Sequence, residues 1–316
     1  MVAVIRGIIA PHNKRLVTRL LMAVENNIVF LNGEFMPMSD AKISPLDRGF
    51  LFGDGIYEVI PCYDAKLVGF GLHIERLQDG LEAIDIQVNL TKQDWQNIVS
   101  TLIEKNTATN LGLYIHVSRG ADIKRSHGFP EHITPTVFVY AFEINASPIA
   151  DRQQVTRYRV TTTEDLRWKR CQIKSTSLLG NVMHFQQGQS AGVNETILYN
   201  QHHELTEASA SNVFIIKNDE VITPSLDNQL LPGITRKMLL DILRKDNTLQ
   251  VHERVVTMSE VFDADEIWLT SSSKELVPVI EIDGQPVGNG DVGDIWVLAQ
   301  TLFSKHKFSQ SIFKSL

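Results

Sequence analysis

Cys171-Gln-Ile-Lys-Ser-Thr-Ser-Leu-Leu-Gly180 is the stretch on which the reading of this chain turns. Lys174 stands alone there among apolar side chains and small hydroxyls. A lysine in a poorly hydrated setting has its pKa lowered and becomes a usable amine, the form needed for a Schiff base. Moving outward, Glu207 follows 33 residues later in Leu205-Thr-Glu-Ala-Ser-Ala-Ser-Asn-Val-Phe214. A carboxylate held against a pyridine nitrogen keeps that nitrogen protonated and the ring an electron sink. Lysine and glutamate are common, so the pair draws its weight from the words around it.

Those words are Asp47-Arg-Gly-Phe-Leu-Phe-Gly-Asp-Gly-Ile-Tyr-Glu-Val59, Leu72-His-Ile-Glu-Arg-Leu77, Gln172-Ile-Lys-Ser175, the Glu207 stretch, and Pro232-Gly-Ile-Thr-Arg236. Together they resemble the fold type IV pyridoxal phosphate enzymes, in order and spacing, from about Ile28 to Trp296. That group contains branched-chain aminotransferases, D-amino acid transaminases and aminodeoxychorismate lyase. Within it, Ser118-Arg-Gly120 and Lys124-Arg-Ser-His-Gly-Phe-Pro130 look most like the D-amino acid transaminases.

The resemblance implies a two-domain α/β fold of α+β character, with the active site in the interdomain cleft. It implies pyridoxal 5′-phosphate as cofactor, held by Lys174, with Glu207 at the ring nitrogen and Arg76 at the phosphate. Tyr57 is expected beside the substrate, and a homodimer with active sites near the subunit contact. The reaction implied is transfer of the amino group of D-alanine to 2-oxoglutarate. The alternatives are a branched-chain L-amino acid aminotransferase and the lyase.

The residues themselves support several of these roles. Pro232-Gly233 opens a helix whose first N–H groups, at Ile234 and Thr235, are free to bind an anion. Ser271 and Ser272, with Ser273 beside them, follow the strand-like Ile267-Trp-Leu-Thr270 and offer further donors. Arg76 carries a fork of donors suited to phosphate, against the plainer reading of a solvated arginine paired with Glu75 or Asp79. Arg125 and His127 form an Arg-x-His set on one side of an extended loop. With Tyr57 they are expected to converge on a substrate carboxylate; in the plainer reading, Lys124 and Arg125 are a solvated basic pair. The subunit that supplies this loop is open, because in such dimers it can come from the neighbour. Arg167-Trp-Lys-Arg170 reads as a basic run at the surface or at a subunit contact.

Composition sets the outer bounds. A length of 316 residues favours roughly two domains with sizeable cores. Apolar residues make up 43% and charged residues 21%, ordinary values for a globular protein. The net charge of −7 and the lack of a basic stripe beyond the N-terminus argue against nucleic-acid binding. No apolar run is long enough to span a membrane. Cys62 and Cys171 belong to no Cys-x-x-Cys motif, so neither a disulfide framework nor a zinc site is expected, and the cytoplasm is the natural compartment. The histidines lack metal-ligand spacing.

Along the chain, residues 1–24 read as an extension, poorly ordered or peripheral. Residues 25–144 read as a smaller N-terminal domain, 145–151 as a linker and 152–316 as a larger domain carrying Lys174. Asn32-Gly33 predicts a tight hairpin turn, Thr91 a helix cap, and Ile234–Arg244 an amphipathic helix. Strands are expected over Ile56–Cys62, Lys66–Phe70, Leu113–Val117, Thr136–Phe142, Val155–Thr162, Ser211–Lys217, Glu220–Thr223 and Gln250–Val256.

Overall fold

Asn32 (φ 49°) and Gly33 (φ 101°) take the positive φ angles of a two-residue turn and fold β1 (Ile28–Leu31) against β2 (Glu34–Pro37). The computed structural model describes residues 27–309, so the N-terminal extension lies outside the described residues. A short helix α1 (Arg48–Phe52) precedes the long strand β3 (Gly55–Tyr63), which pairs with β4 (Lys66–Leu67). The fourth strand is shorter than expected, because Gly69 turns left-handed at φ 63° and starts α2 (Phe70–Ala83). A Cβ at Gly69 would also sit 3.0 Å from Ile234 Cγ2 and Met238 Sδ, so this corner requires glycine twice over.

Thr91 and Asp94 form a reciprocal capping box on α3 (Lys92–Lys105). Strands β5 (Asn110–Ser118) and β6 (Thr136–Glu143) complete an antiparallel six-stranded sheet in the order β2-β1-β6-β5-β3-β4. One face of it buries Ile56, Ile60, Leu113 and Ile115 against Leu77 of α2 and Trp95 and Val99 of α3.

No strand or helix occupies the chain between Glu143 and Tyr158. Beyond it, β7 begins at Tyr158 and runs to Glu164, later than the predicted Val155. There follow α4 (Leu179–Ser190), β8 (Glu195–Tyr199), β9 (Leu205–Ala208), β10 (Asn212–Lys217), β11 (Glu220–Thr223), α5 (Ile234–Asp246) and β12 (Val251–Glu253). The chain continues through α6 (Met258–Phe262), β13 (Glu266–Ser271), β14 (Glu275–Ile282), β15 (Gln285–Pro286) and α7 (Asp294–His306). These strands build a mixed nine-stranded sheet, ordered β12-β11-β10-β13-β14-β7-β8-β9 with β15 on β14.

Both faces of the larger sheet are covered. Phe214 and Ile216 of β10 point into a core with Met238, Leu239 and Trp296 of α5 and α7. Val213 and Ile215, one residue out of phase, point into the opposite core with Met258 and Val261 of α6. The first of these cores also takes in Tyr63, Val68, Leu72 and Ile144, so apolar packing runs from one sheet to the other. Among the described residues, no helix is long and apolar enough to cross a membrane.

Candidate active site

The Lys174 segment is stitched to the first residues of β3. The Tyr57 N–H donates to the Lys174 carbonyl at 3.1 Å, the Thr176 N–H donates to the Gly55 carbonyl at 2.9 Å, and Ile56 and Ser175 form an isolated bridge. This seam brings chain from either side of the interdomain connection to one point. It sets the Lys174 Nζ 4.2 Å from the centre of the Tyr57 ring, on the wall of a cavity of about 410 Å³. The same cavity is lined by Arg76, Glu207, Ile234, Thr235, Ser271 and Ser272, so eight of the ten residues singled out in the sequence meet there.

Glu207 sits on β9, a strand buried along its whole length. Its Oε1 accepts from Arg167 Nη1 at 2.5 Å, and its Oε2 accepts from the Leu231 N–H at 3.0 Å and Asn212 Nδ2 at 3.3 Å. Arg167 is held in turn by Asp165, through Nε at 3.0 Å and Nη2 at 2.7 Å. Burial pushes the Glu207 carboxyl above the usual carboxylate range, while the charge and hydrogen bond of Arg167 work the other way. Burial also opposes the Asp165 charge, but its bonds to Arg167 outweigh that and hold it below the usual range. The sequence pattern puts Arg167 at the surface or at a subunit contact with its basic neighbours. Its side chain is instead only 4% exposed, because two carboxylates draw it inward.

Arg76 shows a related arrangement on α2. Its Nε and Nη2 donate to the two oxygens of Glu58 at 2.7 and 2.9 Å, and its Nη1 donates to the Pro232 carbonyl at 2.8 Å. Glu58 is fully buried and also takes the Nδ1 side of His73 at 2.7 Å. Burial opposes its charge, yet the Arg76 and His73 contacts keep its carboxyl far below the ordinary range. Glu75 and Asp79, the partners of the plainer reading, do not hold Arg76: Glu75 lies 3.6 Å from Lys92 Nζ and Asp79 is exposed.

The donor set fits a phosphate-bearing pyridine. The first turn of α5 has no side-chain cap at Gly233, which leaves the N–H groups of Ile234 and Thr235 for an anion. Gly233 cannot be replaced without disturbance, since a Cβ there would fall 2.0 Å from Asn212 Oδ1. The hydroxyls of Thr270 and Ser271 are buried without a partner, and both residues line the cavity. Arg76 keeps two of its five N–H groups for a ligand. The buried Glu207 carboxyl and the Lys174 amine line the same cavity.

Arg125 and His127 fall elsewhere. Both are exposed on the loop after β5, over Phe52, with the Arg125 Cζ 5.2 Å and the His127 ring 5.3 Å from that ring's centre. Neither lines the cavity that holds Tyr57, so the expected convergence of the three does not form within one chain. Cys171 lines the cavity, but burial pushes its thiol up to about 11 and its Sγ donates to the Trp168 carbonyl, both of which disfavour the thiolate.

Four supporting residues escape the sequence reading: Glu58, Asp165, Arg167 and Asn212. The one local signal is Glu58, a carboxylate inside an otherwise apolar strand.

A fold of two sheets enclosing a lysine, a buried carboxylate and an anion-ready helix end defines a pyridoxal phosphate enzyme of the aminotransferase type. Residues 55–282 match the family described as amino-transferase class IV, and the chain belongs to that family. Its members use pyridoxal 5′-phosphate. The chain is similar to the D-alanine aminotransferases of Staphylococcus haemolyticus, at 36% identity over 90% of this chain and 99% of that one, and of Bacillus licheniformis, at 35% over 90% and 98%. Among solved structures it is similar in fold to the branched-chain amino acid aminotransferase from Escherichia coli. That match has a TM-score of 0.79 and 22% identity over 89% of this chain and 94% of the other.

Proposed function

We propose that this chain transaminates D-amino acids, taking D-alanine and 2-oxoglutarate to pyruvate and D-glutamate. The observation that carries the reading is similarity over nine-tenths of the chain to relatives named D-alanine aminotransferase. When bound, pyridoxal phosphate supplies a protonated ring that accepts the electron pair left at the substrate Cα.

The chain's own residues do the rest. Arg76, the Ile234 and Thr235 amides and the Ser271 and Ser272 donors would hold the phosphate. Glu207, whose charge Arg167 favours against burial, would hold the proton on the pyridine nitrogen. Lys174 Nζ would hold the cofactor, and its free amine would take the proton from the substrate Cα. Tyr57 borders the substrate, and Arg125 and His127 bind its carboxylate. Because the last two lie on the outside of their own chain, we place them at the cavity of a neighbouring subunit in a homodimer. Residues 25–144 and 152–316 act as two domains joined by 145–151, and the cytoplasm is the compartment proposed.

The test is turnover of the purified, cofactor-loaded protein with D-alanine, L-alanine or L-leucine as donor and 2-oxoglutarate as acceptor. Turnover with D-alanine and chiral identification of D-glutamate are expected. Turnover with L-leucine alone would replace this reading with the branched-chain one.

A further inference from the structure

The loop that carries Arg125 and His127 has no strand or helix of its own between residues 122 and 134. Its carbonyls nevertheless converge on one buried side chain. Arg48, in the first position of α1, donates from Nη1 to the Ser126 carbonyl at 2.5 Å and to the Gly128 carbonyl at 3.3 Å. Its Nη2 donates to the His127 carbonyl at 3.2 Å. Three consecutive peptides, one of them that of His127, therefore rest on a single guanidinium.

Arg48 is itself fixed at its guanidinium and at its backbone. Its Nε donates to Asp54 Oδ2 at 2.8 Å, its Cζ lies 4.9 Å from the centre of the Phe52 ring, and its backbone N–H donates to the Gly120 carbonyl at 2.8 Å. The Phe52 ring it covers is the one that Arg125 and His127 also contact. Asp54 does not need Arg48 for charge balance. Arg119 already grips both of its oxygens, at 2.8 and 3.0 Å, and is anchored further on the Ile84 and Asp85 carbonyls. The remaining donors of Arg48 thus serve the loop.

We infer that Arg48 is a positioning residue for substrate binding: it sets the Arg125–His127 loop in its working shape before any substrate arrives. The inference rests on the proposed role of Arg125 and His127 in gripping the substrate carboxylate. A loop ordered in advance loses less conformational freedom on binding, and that gain appears in KM. Lysine cannot substitute, because a single ammonium has no planar fork with which to hold three carbonyls.

The test compares cofactor-loaded wild type with Arg48→Met, Arg48→Lys and Arg125→Ala. It reads KM and kcat for D-alanine and 2-oxoglutarate, cofactor content, and hydrogen exchange of the amides in residues 121–130. Arg48→Met is expected to speed exchange in that loop and to raise both KM values by about tenfold, as Arg125→Ala does. Its kcat should change much less, and its cofactor content should stay at the wild-type level. Arg48→Lys retains the charge beside Asp54, and should show the same direction of change if the methionine variant folds poorly. Unchanged loop exchange and KM in both Arg48 variants, beside a raised KM in Arg125→Ala, would overturn the inference and leave the proposed function standing. An Arg125→Ala enzyme with wild-type KM values would instead sink the carboxylate-binding role, and the Arg48 inference with it.

Discussion

Arg167 lies between two carboxylates, with Nη1 at 2.5 Å from Glu207 and its opposite edge clasped by Asp165. The pair decides the charge of Glu207. Burial alone favours the neutral acid, and Arg167 is the nearest opposing charge.

Replacing Arg167 by methionine removes that opposition, so the Glu207 carboxyl moves further up. If Glu207 must be ionised for turnover, the acid limb of the kcat profile shifts to higher pH. At neutral pH kcat should fall by about a hundredfold, the scale seen when one preorganised electrostatic partner is removed. Arg167→Lys should recover part of the loss. The check is kcat across the range from mildly acidic to mildly alkaline pH; an unmoved acid limb would contradict the assignment.

Glu58 gives a stability prediction with a defined sign. Its folded-state carboxyl is depressed, so its contribution is complete above the unfolded value of about 4.3 and fades as pH falls below it. Urea unfolding of wild type should lose stability in that acid window, and Glu58→Gln should show a flatter dependence there. At neutral pH the variant should be less stable by about 3–5 kcal/mol, because buried Arg76 and His73 lose their partner. Parallel pH curves for the two proteins would count against it.

Another buried pair lies where the chain between β6 and β7 meets the start of β14. Glu275 holds φ 55° at the start of β14, unusual for a side chain of its size. Its carboxylate accepts from Lys307 Nζ at 2.5 Å, Ser147 Oγ at 2.9 Å and Gln300 Nε2 at 2.8 Å. Lys307→Met should cost about 3–5 kcal/mol by leaving that carboxylate unpaired. Glu275→Gly relieves the backbone but strands the lysine, so the double variant should be more stable than the sum of the single losses. A double-mutant cycle by chemical denaturation measures this, and simple additivity would refute the coupling.

Much of this architecture is legible in the sequence because local rules and the fold agree. Asn32-Gly33 demands a tight turn, and Thr91 with Asp94 announces a helix start. The strand around Glu207 carries no such signature, since Leu205–Ala208 is buried on both faces and shows no alternation. Arg167 is misplaced by the sequence for a different reason. Its neighbours Lys169 and Arg170 are exposed, and no local pattern reveals that a carboxylate 40 residues away turns it inward. The site residues that belong to motifs can be named from the sequence. Of those that hold them in place, Glu58 leaves a local trace as a carboxylate in an apolar strand, while the roles of Arg167 and Arg48 become visible only through contacts 40 and about 80 residues away.

The most direct test of the central claim is to reduce the cofactor-loaded protein with borohydride and map the peptides by mass spectrometry. A single phosphopyridoxyl group on Lys174 is predicted, absent from Lys174→Ala, which should also be inactive. A group on another lysine, or none on Lys174 in an active enzyme, would contradict the account.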